Sequence, residues 1–202
     1  MDKLLYIDES GSQCRVFQRY AYEKFDVQVL EPSPDINDTI VAMLDIHPDA
    51  IVADFDLSDE NPEVHYTGDD LINKFLSFRN HFPVFILTSY ENDAISAGED
   101  VNLVYEKKEM TSTDSLFLTR IQEQINKYRN RIEVSERRIL ELNKKKDLDA
   151  KEEEELSELD TFIESTLDKN ATAPELLKSS AERNKLTQLV EKVDEFIKEF
   201  KK

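Results

Sequence analysis

Short apolar runs separated by stretches of helical spacing constrain this chain more than any other feature. Leu4-Leu5-Tyr6-Ile7, Asp26-Val27-Gln28-Val29-Leu30, Ala50-Ile51-Val52-Ala53, Pro83-Val84-Phe85-Ile86-Leu87 and the run from Val101 to Tyr105 are strand candidates, too short to be buried helices. Between them, apolar residues fall at helical spacing: Val16, Phe17, Tyr20 and Phe25 after a possible cap at Ser10, then Ile36, Ile40, Met43 and Leu44. Leu71, Ile72, Phe75, Leu76 and Phe78 follow within Gly68 to Asn80, and Glu91 to Gly98 forms a short, poorly amphipathic helix. Strands that alternate with helices predict an α/β fold, a doubly wound five-stranded parallel sheet with helices on both faces.

In such sheets ligands bind outside the carboxyl ends of the strands. The residues that follow the runs therefore carry the functional information. They are Asp8 and Glu9 after the first, Asp54 and Asp56 after the third, Thr88 after the fourth, and Lys107 or Lys108 after the fifth. Asp8, Glu9 and Asp54 would converge at one edge, where carboxylates repel one another unless a cation sits among them. A hard divalent ion such as Mg²⁺ suits oxygen ligands of this kind. With a lysine and a threonine hydroxyl around one carboxylate, the set makes a pocket for a phosphoryl group, with the carboxylate as nucleophile and electrostatic clamping as the main contribution.

Residues 1 to about 120 resemble the receiver domain of two-component response regulators. The resemblance rests on the apolar run leading to Asp8-Glu9, on Pro48-Asp49-Ala50-Ile51-Val52-Ala53-Asp54, on Phe82-Pro83-Val84-Phe85-Ile86-Leu87-Thr88-Ser89, and on the lysine after the fifth strand. It implies a flavodoxin-like receiver over residues 1–115, with Asp54 as phosphoacceptor from a histidine kinase or phosphotransfer protein. Glu9 and Asp54 would then ligate Mg²⁺ directly, Asp8 through water and Asp56 through its main-chain carbonyl. Thr88 and the lysine would meet the phosphoryl oxygens. Val104-Tyr105-Glu106-Lys107 selects Lys107, while Lys108 is the alternative that places Tyr105 three residues upstream. The chain departs from the family in two places. No proline follows the lysine, and the loop from Asp54 to Gly68 is long and carries Asp59, Glu60, Glu63, His65 and Tyr66. Asp56 and Tyr90 lie near the expected route of an attacking water.

From Thr113 the pattern changes. Phe117, Ile121, Ile125, Tyr128, Ile132, Ser135, Ile139 and Leu142 recur at spacings of three and four, a heptad stripe of the coiled-coil kind. It breaks near 143–149, where Asp149 and Glu152 form a capping-box pattern, and again near 170–174. Leu156 to Leu167 and Leu186 to Phe200 would form two further helices. Short connections favour antiparallel neighbours, so residues 116–202 are expected to form a helical hairpin with a third helix. This module would serve as a protein-interaction or homodimerisation output.

Charge limits the partners. Acidic residues outnumber basic ones 24 to 8 in residues 1–115 and 20 to 18 in 116–202, so neither part offers a phosphate-binding surface and no nucleic-acid partner is expected. No helix-turn-helix or basic recognition helix is visible. One cysteine, Cys14, and no long apolar run or signal-peptide pattern point to a reducing cytoplasmic setting without membrane insertion. Catalysis would be limited to the chain's own Mg²⁺-dependent phosphorylation and dephosphorylation. A phosphoryl carrier or sink without a switching output fits the same residues.

Overall fold

The computed structural model describes residues 1–59, 61–89, 104–111, 116–145 and 147–167. Five parallel strands form one sheet: β1 (Asp2–Ile7), β2 (Phe25–Leu30), β3 (Ala50–Asp54), β4 (Val84–Thr88) and β5 (Val104–Glu106). Their order is β2-β1-β3-β4-β5, the doubly wound flavodoxin-like arrangement. The register sets Leu4 against Val27 and Ala50, Ala53 against Ile86, and Asp54 against Leu87. The expected helix at 91–98, Tyr90, the first residues of the fifth run (101–103), the break at 170–174 and the last helix all lie outside the described residues.

The strands alternate apolar residues between two covered faces, as strands buried on both sides must. Leu5, Ile7, Ile51, Ala53, Val84 and Ile86 pack with Ile40 and Met43 of α2 (Ile36–Ile46) and with Leu71, Ile72 and Phe75 of α3 (Gly68–Phe78). Leu4, Tyr6, Val52, Phe85 and Leu87 face the other way, toward Cys14, Phe17 and Ala21 of α1 (Gly11–Ala21) and toward Phe117, Leu118, Ile121 and Ile125 of α4 (Phe117–Asn143). The start of the stripe expected to be a coiled-coil seam is thus sheet-packing surface. A helix face with apolar residues every three or four positions fits a sheet as well as another helix, and here Val52 of β3 and Phe85 and Leu87 of β4 cover it. The first compact unit runs Met1–Ile132, and the second runs Glu133–Lys202.

Caps set the helix starts. Asp35 accepts from the Asn37 amide at 2.8 Å ahead of α2. Thr67 and Asp70 exchange backbone and side-chain bonds in a capping box ahead of α3. Ser10 stands at the N-cap of α1 but makes no side-chain cap bond; its hydroxyl pairs with Ser12 instead. In the second unit, Asp149 accepts from the amides of Lys151 and Glu152, and Glu152 accepts from the Asp149 amide, which is the reciprocal box expected there. It opens α5 (Ala150–Leu167). Arg138 grips Glu155 with two bonds of 2.8 Å. These residues stand at matching distances on either side of the connection, so the end of α4 and α5 run antiparallel as a hairpin, with Leu142 and Leu156 buried. Among the described residues, no helix is long and apolar enough to cross a membrane.

Candidate functional site

The carboxyl ends of β1, β3 and β5 bring Asp8, Glu9, Asp54 and Lys107 together. Asp8 follows β1 directly and is fully buried. Its carboxylate is held at both oxygens: Tyr6 donates its hydroxyl to Oδ2 at 2.5 Å, and the Ser10 amide donates to Oδ1 at 2.8 Å. Asp54 ends β3 and is 4% exposed. Lys107 follows β5, and its Nζ lies 2.9 Å from Asp54 Oδ2 and 3.6 Å from Asp8 Oδ2. One ligand atom from each of Asp8, Glu9 and Asp54 lies within 4.8 Å of the others. Thr88 ends β4 one residue beyond Leu87, which stands opposite Asp54, and it is buried.

The charges in this acidic centre act strongly on one another. Burial pushes Asp54 up to about 7, against the pull of Lys107 and with the push of Asp8 and Glu9. Burial also raises Glu9, helped by Asp8 and Asp59. Burial alone would lower Lys107, but Asp54, Asp8 and Glu9 outweigh it and raise the ammonium above its usual range. Burial and the facing Asp8 carboxylate drive Tyr6 far above the usual phenol range, so its hydroxyl remains a donor.

The two lysines separate cleanly. Lys107 reaches the carboxylates, whereas Lys108 is exposed and pairs with Glu106. The alternative choice of Lys108 is therefore set aside, because its side chain leaves the strand end on the solvent side. The Asp56 side chain is exposed and its carboxylate accepts from the Ser58 hydroxyl at 3.0 Å, while the role expected of Asp56 belongs to its main-chain carbonyl. Tyr6 was legible only as a core residue of the first strand. Its same-face relation to Asp8, two residues on, was the available signal.

Apolar residues of the loop between β3 and α3 join the core on the α2 and α3 side of the sheet. Leu57 and Val64 are buried, and the chain closes at its base where the Gly68 amide donates to Phe55 O at 2.8 Å. A ring of hydroxyl bonds ties it to the start of α2: Ser33 N to Thr39 Oγ1 at 2.9 Å, Thr39 to Tyr66 at 2.8 Å, and Tyr66 to Ser33 O at 2.6 Å.

No family model and no curated protein matches the chain. Among solved structures it is similar to the anti-anti-sigma factor PhyR from Bartonella quintana, with 14% identity, 64% of this chain and 49% of that one covered, and a TM-score of 0.48. The chain thus spans about half the length of PhyR. It is also similar to a response regulator receiver domain protein from Clostridium thermocellum, at 16% identity, 64% and 98% coverage and a TM-score of 0.49. A third is RcsB from Salmonella enterica serovar Typhimurium, bound to a promoter in the presence of a phosphomimetic, at 14% identity, 87% and 96% coverage and a TM-score of 0.44.

The chain has the flavodoxin-like, doubly wound fold that its strand order defines. In this sheet the strands that lead to Asp8, Asp54, Thr88 and Lys107 are successive neighbours, so the sheet order itself explains why residues far apart in the chain meet.

The cluster suits a hard divalent cation. Three carboxylates are held close together, and Glu9 Oε2 is buried without a hydrogen-bond partner, an arrangement that a cation relieves.

Proposed function

We propose that this chain is a response regulator whose Asp54 accepts a phosphoryl group. The observation that carries the reading is the 2.9 Å contact of Lys107 Nζ with Asp54 Oδ2, within a buried cluster completed by Asp8 and Glu9. An Asp54 carboxylate oxygen attacks phosphorus, and the bond from phosphorus to the donor's leaving group breaks. The electron pair departs with that group, which takes up a proton from solvent. Lys107 then stands beside the new phosphoryl oxygens, and the Thr88 hydroxyl is the donor they draw in. Asp8, Glu9 and Asp54 would hold Mg²⁺, which when bound neutralises charge on the transferring oxygens. Burial keeps the acyl phosphate away from bulk water.

Upstream partners on this reading are a histidine kinase or a phosphotransfer protein. The output is a protein contact made by the helical module of residues 116–202, whose charge is almost balanced.

The test is incubation of the full chain with acetyl phosphate and Mg²⁺, followed by intact mass measurement. The parent gains one phosphoryl group, Asp54→Asn gains none, and chelation of the metal abolishes the gain. Equal labelling of parent and Asp54→Asn, or no labelling of the parent, overturns the reading.

A further inference from the structure

We infer that Tyr6 is a positioning residue for the metal-binding carboxylate of Asp8, and that its hydroxyl reports metal occupancy. The inference deepens the reading of Asp8, Glu9 and Asp54 as a Mg²⁺ site and rests on it.

Asp8 is the most constrained member of the cluster. Its amide donates to Leu30 O at 3.4 Å, its carbonyl accepts from the Cys14 thiol at 3.6 Å, and Ser10 N and Tyr6 each donate to one carboxylate oxygen. Glu9, by contrast, has a buried oxygen with no partner. Tyr6 contributes a side-chain hydroxyl to Asp8, and it does so from a fixed place. The phenol ring is fully buried and stacks on Phe17 with centroids 4.0 Å apart and planes 4° from parallel. Tyr6 and Asp8 lie on the same side of the chain because side chains two apart on a strand share a face. The donor is therefore anchored in the apolar layer between the sheet and α1, while the acceptor sits at the rim of the site. Lys107 stands 3.6 Å from the same Oδ2, beyond a firm hydrogen bond. The short Tyr6 bond, not the lysine, sets where that oxygen points.

A carboxylate aimed in this way meets a cation, or a water that the cation carries, without first losing rotational freedom. Groups that orient a metal ligand from behind typically change metal affinity by about 10–100-fold when removed. Binding of a cation also draws negative charge on Asp8 toward the metal and weakens its hold on the phenol proton. The phenol absorbs accordingly, and the chain contains seven tyrosines and no tryptophan to mask the change.

The experiment uses the full chain and Mg²⁺ alone, with affinity measured by calorimetry and tyrosine absorption by difference spectroscopy. The parent, Tyr6→Phe, Asp8→Asn and the double variant form a cycle. Tyr6→Phe is expected to weaken Mg²⁺ binding about tenfold. The same change in the Asp8→Asn background is expected to have no further effect. Saturating Mg²⁺ perturbs the tyrosine spectrum of the parent, and the perturbation disappears in Tyr6→Phe. Unchanged affinity, an equal loss in both backgrounds, or a spectral change that survives in Tyr6→Phe overturns the inference while the metal site stands. No Mg²⁺ binding by the parent removes the site and the inference together. Should Tyr6→Phe fail to fold, the parent's spectrum decides: its silence at saturating Mg²⁺ rejects the role of Tyr6.

Discussion

Gly68 begins α3 directly against the main chain of Asp54. A methyl group on Gly68 would lie 1.9 Å from the Asp54 carbonyl oxygen and 2.8 Å from its carbon. Both obstacles are backbone, so no side chain can turn aside to make room. The Gly68 amide already bonds Phe55 O at 2.8 Å, which fixes how close the two segments stand. Gly68→Ala should therefore cost about 1–3 kcal/mol of stability through overpacking. The displaced segment is the strand end that carries Asp54, so phosphorylation by acetyl phosphate should slow as well. Urea unfolding and intact mass measurement check the two effects on the same samples.

The two neighbouring lysines make a sharp comparison. Lys107 faces Asp54 and Asp8, and Lys108 faces Glu106 at the surface. Removal of one preorganised charge partner from a reacting group costs about a hundredfold in rate in comparable sites. Lys107→Ala should slow labelling of Asp54 by about that factor. Lys108→Ala should leave the rate as it is. The rate of phosphoryl incorporation from acetyl phosphate measures both.

The pH dependence follows from Asp54, which burial raises from an ordinary carboxylate value to about 7. The folded state therefore binds the proton more tightly than the unfolded chain. Its contribution to stability is present at low pH and is lost as pH rises from about 4 through 7, at a slope of at most about 1.4 kcal/mol per pH unit. In the presence of a chelator, the parent should lose melting temperature between pH 5 and pH 8 relative to Asp54→Asn, which lacks the titration. Mg²⁺ offsets the ionised cluster, so it should raise the parent's melting temperature more at pH 8 than at pH 5. Thermal scans at the two pH values give the comparison.

Tyr66 tests whether the long loop before α3 is held or loose. Its hydroxyl closes the ring with Thr39 and Ser33 O, and burial raises the phenol above its ordinary range. Tyr66→Phe should cost about 1 kcal/mol, the net worth of such a bond. Amide exchange should quicken locally, at Val64, whose amide bonds Asn61 O at 3.1 Å. The strands should keep the parent's protection.

Much of the site was legible because the signal was periodic and local. Ala50–Asp54 is buried throughout, so a polar residue at its end could only be a rim residue. Asp54 and Thr88 stand at the carboxyl ends of apolar runs, where such sheets bind ligands, and strand order places them with Asp8. Lys107 and Lys108 were harder to separate. Adjacent residues at a strand end point to opposite sides, and where β5 stops decides which of them faces the carboxylates. Tyr6 was hidden for a different reason: a buried aromatic in a strand satisfies the apolar pattern whether or not its hydroxyl has a task. Burial of the loop residues Leu57 and Val64 is not legible in the sequence, since an apolar residue without periodic neighbours carries no pattern.

The Phe117–Leu142 stripe shows the limit most clearly, and it leads to a direct test. Spacings of three and four fix one apolar face but do not name what covers it. Phe117 is fully buried against Phe85 and Tyr105, with ring centroids 5.8 Å and 4.7 Å away. Leu140, near the other end of the same helix, is 61% exposed. Phe117→Ala should therefore lose about 3–5 kcal/mol, as for a large aromatic removed from a core. Leu140→Ala should stay within about 0.5 kcal/mol of the parent. Had the whole stripe been a seam between helices, loss of Phe117 would change association and leave the sheet intact. Urea unfolding followed by the tyrosine signal, run alongside sedimentation, separates the two: a large stability loss with an unchanged oligomeric state identifies the start of α4 as part of the sheet's own core.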